Sequence, residues 1–120
     1  NPGDGAAVLD VDVLRSMIGD DPESVAEFLS EYRASLVRLA QDLVAAARAG
    51  DAIQAGTVAH KLKSASRSVG AMRLGDLCEE LERAGRSRDQ GQLSSLVPEF
   101  KAMAHEVKRM VSEAMKREVP

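Results

Sequence analysis

Apolar residues return every three to four positions over most of this chain. The longest run, Val25, Phe28-Leu29, Tyr32, Leu36, Leu39-Ala40 and Leu43, marks the buried stripe of a long helix. Long β-branched runs are absent, good helix formers dominate, and aromatic residues make up only 2% of the chain. A sheet has little to build on. The 44% of residues that are apolar must form a core of Leu, Val, Ala, Met and Ile between helices, and 120 residues suffice for one compact domain.

Punctuation divides the chain into elements. Asp10 caps a short helix through Met17-Ile18 that Gly19 ends. Asp21-Pro22-Glu23 supplies a cap, a first-turn proline and a first-turn acid for a helix toward Arg48. Gly50-Asp51 closes it and caps a third helix, which runs to about Val69 and stops at Gly70. A fourth helix is expected from Met72 to Ala84, with Leu74, Leu77, Cys78 and Leu81 inward and Gly85 as its stop, followed by a polar loop from Arg86 to Gly91. The last helix carries Leu93, Leu96-Val97, Phe100, Met103, Val107 and Met110-Val111, with Pro98 either kinking it or marking its start.

Short connections make consecutive long helices antiparallel neighbours. The expected fold is all-α, an antiparallel four-helix bundle with a short N-terminal helix, over residues 9–117. Residues 1–8, which open on Asn1-Pro2-Gly3-Asp4-Gly5, read as a linker or expression remnant, and 118–120 as a frayed C-terminus.

A net charge of −3 argues against nucleic acid as a main partner. Cys78 is the single cysteine, so no intrachain disulfide forms, and His60 and His105 lack acids or thiols at ligand spacing, so no metal site is expected. No apolar run approaches the roughly 20 residues that span a bilayer, so no membrane contact is expected and the location reads as cytoplasmic. No second apolar stripe supports a structural dimerisation bundle, and the expected state is a monomer. His105 reads as ordinary surface, Cys78 as core, and Met103, Met110 and Met115 as gap-fillers or helix-edge residues.

On a helical wheel with about 100° per residue and Val58 at zero, Leu62, Ala65 and Val69 lie within about 40° and define the core line. His60 falls at about 200° and faces outward. Gly56 lies one turn before it on the same face, with Lys63, Ser64 and Arg67 after it. Ile53 falls at about 220°, open to a partner's helix or else covered by the first helix or a loop.

The run Ala59-His60-Lys61-Leu62-Lys63-Ser64-Ala65-Ser66-Arg67-Ser68-Val69-Gly70-Ala71 resembles the signature of histidine-containing phosphotransfer (Hpt) domains. The resemblance extends to Leu9-Asp10-Val11-Asp12, Gly19-Asp20-Asp21-Pro22, Gly50-Asp51 and Leu74-Gly75-Asp76-Leu77-Cys78. It implies a phosphorelay intermediate in which His60 takes a phosphoryl group from a receiver-domain aspartate and passes it to another. Lys63 is then the electrostatic helper, whose removal weakens transfer without unfolding the domain. Ser64 stands where many members have glycine and keeps the approach open; Gly56 does the same on the other side. Lys61 and Arg67 flank the phosphoryl oxygens, and Arg86 is a further candidate to lean toward them.

Relatives place a Gln or Glu on the next helix against the imidazole, and Glu82 occupies the matching place. Two readings stand for it: acceptor of the Nδ1 proton, or solvated partner of Arg83 or Arg86. Docking would use Ile53, Gly56, Lys61, Arg67 and Arg86, with the short first helix over the top. The domain needs no cofactor, Mg²⁺ being expected on the partner receiver, and has no catalytic machinery of its own, lacking a nucleotide loop or acidic metal cluster. Partners are receiver domains of response regulators or hybrid kinases, and the chain fits a freestanding protein or the terminal domain of a hybrid sensor histidine kinase. The rival reading is a helical adaptor that docks on receivers or kinases without being phosphorylated.

Overall fold

The computed structural model describes residues 8–120, so the proposed linker, Val8 apart, lies outside the described residues. Five helices make up the described chain, with no strand among the described residues: α1 (Val11–Ile18), α2 (Pro22–Arg48), α3 (Ala52–Ser68), α4 (Met72–Arg86) and α5 (Gln90–Glu118). Aspartates start four of them. Asp10, Asp21, Asp51 and Asp89 each accept a bond from a first-turn backbone N–H, at Asp12, Ser24, Gln54 and Gln92 respectively. Each satisfies an amide that the helix itself leaves without a partner.

The ends of α2, α3 and α4 share one termination device. In each, the two residues after the C-cap return their N–H groups to the last turn: Gly50 to Ala47 and Asp51 to Ala46, Gly70 to Arg67 and Ala71 to Ser66, Arg88 to Gly85 and Asp89 to Ala84. This motif needs a left-handed residue just past the cap. Gly50 (φ 74°) and Gly70 (φ 86°) supply it without a Cβ, whereas α4 uses Arg88 (φ 56°).

Two expectations fail here. Gly85 does not stop α4, which continues to Arg86; it lies buried inside the helix, where a Cβ would sit 2.6 Å from both the Ala52 carbonyl oxygen and the Gly56 Cα. The loop expected from Arg86 to Gly91 is shorter than that, residues 87–89 only, because α5 starts at Gln90, behind the Asp89 cap. Pro98 therefore lies within α5 rather than at its start. At the far end the helix continues through Glu118, whose carboxylate pairs with Arg15.

Contacts join α2 to α3, α3 to α4, α4 to α5 and α5 back to α2, so the four long helices close a ring around one core. Leu14, Leu29, Leu36, Leu43, Leu62, Leu74, Leu81, Leu93 and Phe100 are fully buried in it, with Cys78 among them. Met103, Met110 and Met115 pack against its edge. Val8 and Leu9 are buried as well. Phe28 departs from its expected place: it sits one position beside the Val25, Leu29, Tyr32 line and is exposed over the α2–α3 seam near Ala65 and Ser68. Within the core, Tyr32 Oη and Ser66 Oγ share a hydrogen bond of 2.8 Å, and burial pushes the phenol pKa up.

Candidate functional site

The site forms where α3 and α4 press together. Gly56 and Gly85 meet at the crossing, and their missing side chains let the helix backbones approach closely. One turn along α3 from Gly56 stands His60; one turn back along α4 from Gly85 stands Glu82. The crossing thus sets the distance between these two side chains.

The His60 side chain is 55% exposed while that of Glu82 is only 3% exposed. His60 Nδ1 lies 3.0 Å from Glu82 Oε2. A buried carboxylate is an acceptor, so the neutral ring donates through Nδ1–H and carries its lone pair on Nε2. Two cations complete the cluster: Lys63 Nζ donates to Glu82 Oε1 at 2.7 Å, and an Arg86 guanidinium nitrogen lies 2.5 Å from Oε2. The hydrogen bond from Lys63 is the chief reason the Glu82 carboxyl titrates below its ordinary range; His60 and Arg86 act in the same direction, and burial opposes all three.

The other expected site residues divide. Ser64 and Lys61 are exposed on the His60 face, and Lys61 forms no ion pair among the described residues. Ile53, open to two readings in the sequence, is exposed; with Gly56, Thr57, Lys61 and Arg86 it lines a shallow groove beside His60. Gly56 is buried at the helix crossing rather than open to solvent, so its small size serves the approach of α4. Arg67 is turned away: it pairs with Asp76 at 3.1 Å and lies over Gly75, whose missing Cβ makes room for it. Lys63 and Arg86 are held by Glu82 rather than free on the surface. The short helix α1 is not part of the groove, since Asp10 bonds to the Gly70 carbonyl at the far end of α3 and Arg15 pairs with Glu118.

His105 is exposed on α5. Cys78 is buried, and burial pushes its thiol up to about 12, so it stays a neutral core group. Among the described residues no cluster of three or more His, Cys, Asp or Glu is arranged to hold a metal, and no helix is long and apolar enough to cross a membrane.

The sequence model of the Hpt domain matches residues 23–114, most of the chain. The chain belongs to the Hpt domain family. A likeness in structure agrees with this: the crystal structure of histidine-containing phosphotransfer protein B (HptB) from Pseudomonas aeruginosa PAO1 matches with a TM-score of 0.83 and 25% identity, over 92% of this chain and 96% of that one. No curated protein matches the chain. As an Hpt domain it has a phosphotransfer role in two-component signalling, as a phosphocarrier of the kind that interacts with receiver domains.

Proposed function

We propose that this Hpt domain accepts a phosphoryl group on His60 Nε2 from a receiver-domain aspartate and transfers it to a second receiver aspartate. The observation that carries the reading is the contact between the exposed His60 imidazole and the buried Glu82 carboxylate. With Nδ1–H committed to Glu82, the Nε2 lone pair attacks phosphorus as the bond to the receiver's carboxyl oxygen breaks. The electron pair leaves on that carboxylate, and the ring becomes a cation whose Nδ1–H still faces Glu82. The buried charge stabilises that cation, and the reverse sequence donates the group onward.

Lys63 and Arg86 lie close enough to exchange part of their contact with Glu82 for phosphoryl oxygens, each such charge-assisted bond being worth about 1.5 to 3 kcal/mol. Lys61 adds positive charge, Ser64 leaves the approach clear, and Ile53 gives the docking groove an apolar anchor. Mg²⁺ comes with the receiver, and this chain adds no catalytic machinery beyond the nucleophile and its holders.

The fold we propose is an antiparallel four-helix bundle with α1 across one end. The ring of contacts, the short connections and the reversed order of α3–α4 contacts (Gly56 with Gly85, His60 with Glu82, Arg67 with Asp76) support it. The domain acts as a cytoplasmic monomer, either freestanding or within a hybrid sensor kinase. A time course with one phosphorylated receiver as donor and a panel of receivers as acceptors tests the relay. Label passes through this domain to a preferred acceptor in the wild type and stops at the donor in His60→Gln; label that never enters the wild-type domain contradicts the proposal and favours the non-phosphorylated adaptor.

A further inference from the structure

A second surface feature lies on the α2–α5 edge of the ring, opposite the α3–α4 edge that carries His60. It is a groove of about 420 Å³ with Leu36, Ala40, Val44, Phe100 and Ala104 along its floor. Ala40 and Ala104 are small where their neighbours are large, which leaves a trough instead of a filled seam. The groove follows α2 from Leu36 to Arg48, about 18 Å of helix axis or three turns.

Its charge is one-sided. Arg48, Lys101 and Lys108 line it, and none of the three forms an ion pair among the described residues. His105 and Gln41 complete the polar lining, and no acid contributes to it, although the chain has 19 acidic residues against 16 Lys and Arg. An apolar floor between unpaired cations complements an amphipathic partner with acidic flanks.

We infer that this groove is a second docking site, for an acidic amphipathic helix of another protein, used independently of His60. A second copy of this chain fits poorly, because a symmetric contact through this face would set Lys101 and Lys108 against their own counterparts. A single acyl chain fits less well than a helix, because the groove is open along its length and would leave one side of the chain wet. Because the groove and His60 lie on opposite edges of the ring, both surfaces can be occupied together.

The test uses the whole ¹⁵N-labelled chain and synthetic peptides of about 14 residues, long enough to cover the groove. One peptide has leucines on one helical face and glutamates beside them; a second carries lysines in place of the glutamates; oleate is the third probe. The glutamate peptide is expected to give saturable amide shifts at Ala40, Val44 and Ala104, and none at His60. It should bind about tenfold or more tightly than the lysine peptide. The Lys101→Glu/Lys108→Glu variant should lose about that preference while still taking phosphate on His60. Absence of saturable shifts in the groove, equal binding of the two peptides, or binding of oleate without the glutamate peptide would each overturn the inference.

Discussion

Glu82 Oε2 is shared between His60 Nδ1 at 3.0 Å and the Arg86 guanidinium at 2.5 Å, so one buried carboxylate both orients the imidazole and holds a cation beside it. With Lys63 on its other oxygen, Glu82 carries three partners from two helices. The proposed phosphotransfer site is therefore also a structural joint between α3 and α4.

The ring's tautomer depends on that joint. In Glu82→Ala, long-range proton–nitrogen spectra of the neutral imidazole should shift from the Nδ1–H form toward Nε2–H, and transfer should slow about 10- to 100-fold. Glu82→Gln keeps an acceptor for Nδ1–H and should lose less. Unchanged ring nitrogens in the alanine variant would remove Glu82 from the mechanism.

Acid stability follows from the same carboxylate. Its folded pKa lies below the ordinary value of 4.5, so its contribution is complete above that value and is lost as pH falls through the lowered folded one. Urea midpoints of the wild type should fall more steeply than those of Glu82→Gln as the pH is lowered below about 4.5. Parallel curves would show that the carboxylate contributes nothing pH-dependent.

Gly85→Ala tests the helix crossing. The added methyl would meet backbone atoms of Ala52 and Gly56 at 2.6 Å, so α3 and α4 must separate. The expected cost is about 2 to 3 kcal/mol in denaturant unfolding, with transfer impaired as Glu82 moves from His60. Gly91→Ala is the control, since a Cβ there meets nothing closer than 3.7 Å. It should be neutral or stabilising.

Arg88 holds a left-handed φ of 56° in a position that Gly50 and Gly70 fill at the ends of α2 and α3. Arg88→Gly should raise stability by up to about 1 kcal/mol, measured as the urea midpoint, without changing transfer. Destabilisation would mean that the Arg88 side chain matters more than its backbone.

Much of this was legible in the sequence because caps and stops are local signals. Asp10, Asp21 and Asp51 mark helix starts, and Gly19, Gly50 and Gly70 mark ends, each through bonds made within a few residues. Gly85 misleads because the same residue type that ends helices also lets helices touch, and its partner Gly56 lies on another helix. Asp89 was legible in principle, since the Asp89 to Gln92 spacing is that of a capping box ahead of Leu93. The outward direction of His60 and the exposure of Ser64 follow from the wheel alone. The partners of Lys63, Arg67 and Arg86 do not, because long side chains choose among acids that only the packed helices bring near.

The most direct test of the account is to phosphorylate the intact domain from a receiver and locate the group by mass spectrometry and phosphorus–nitrogen couplings. One phosphoryl group is expected on His60 Nε2, absent in His60→Gln. A group on Nδ1, on His105 or on any other side chain would contradict it.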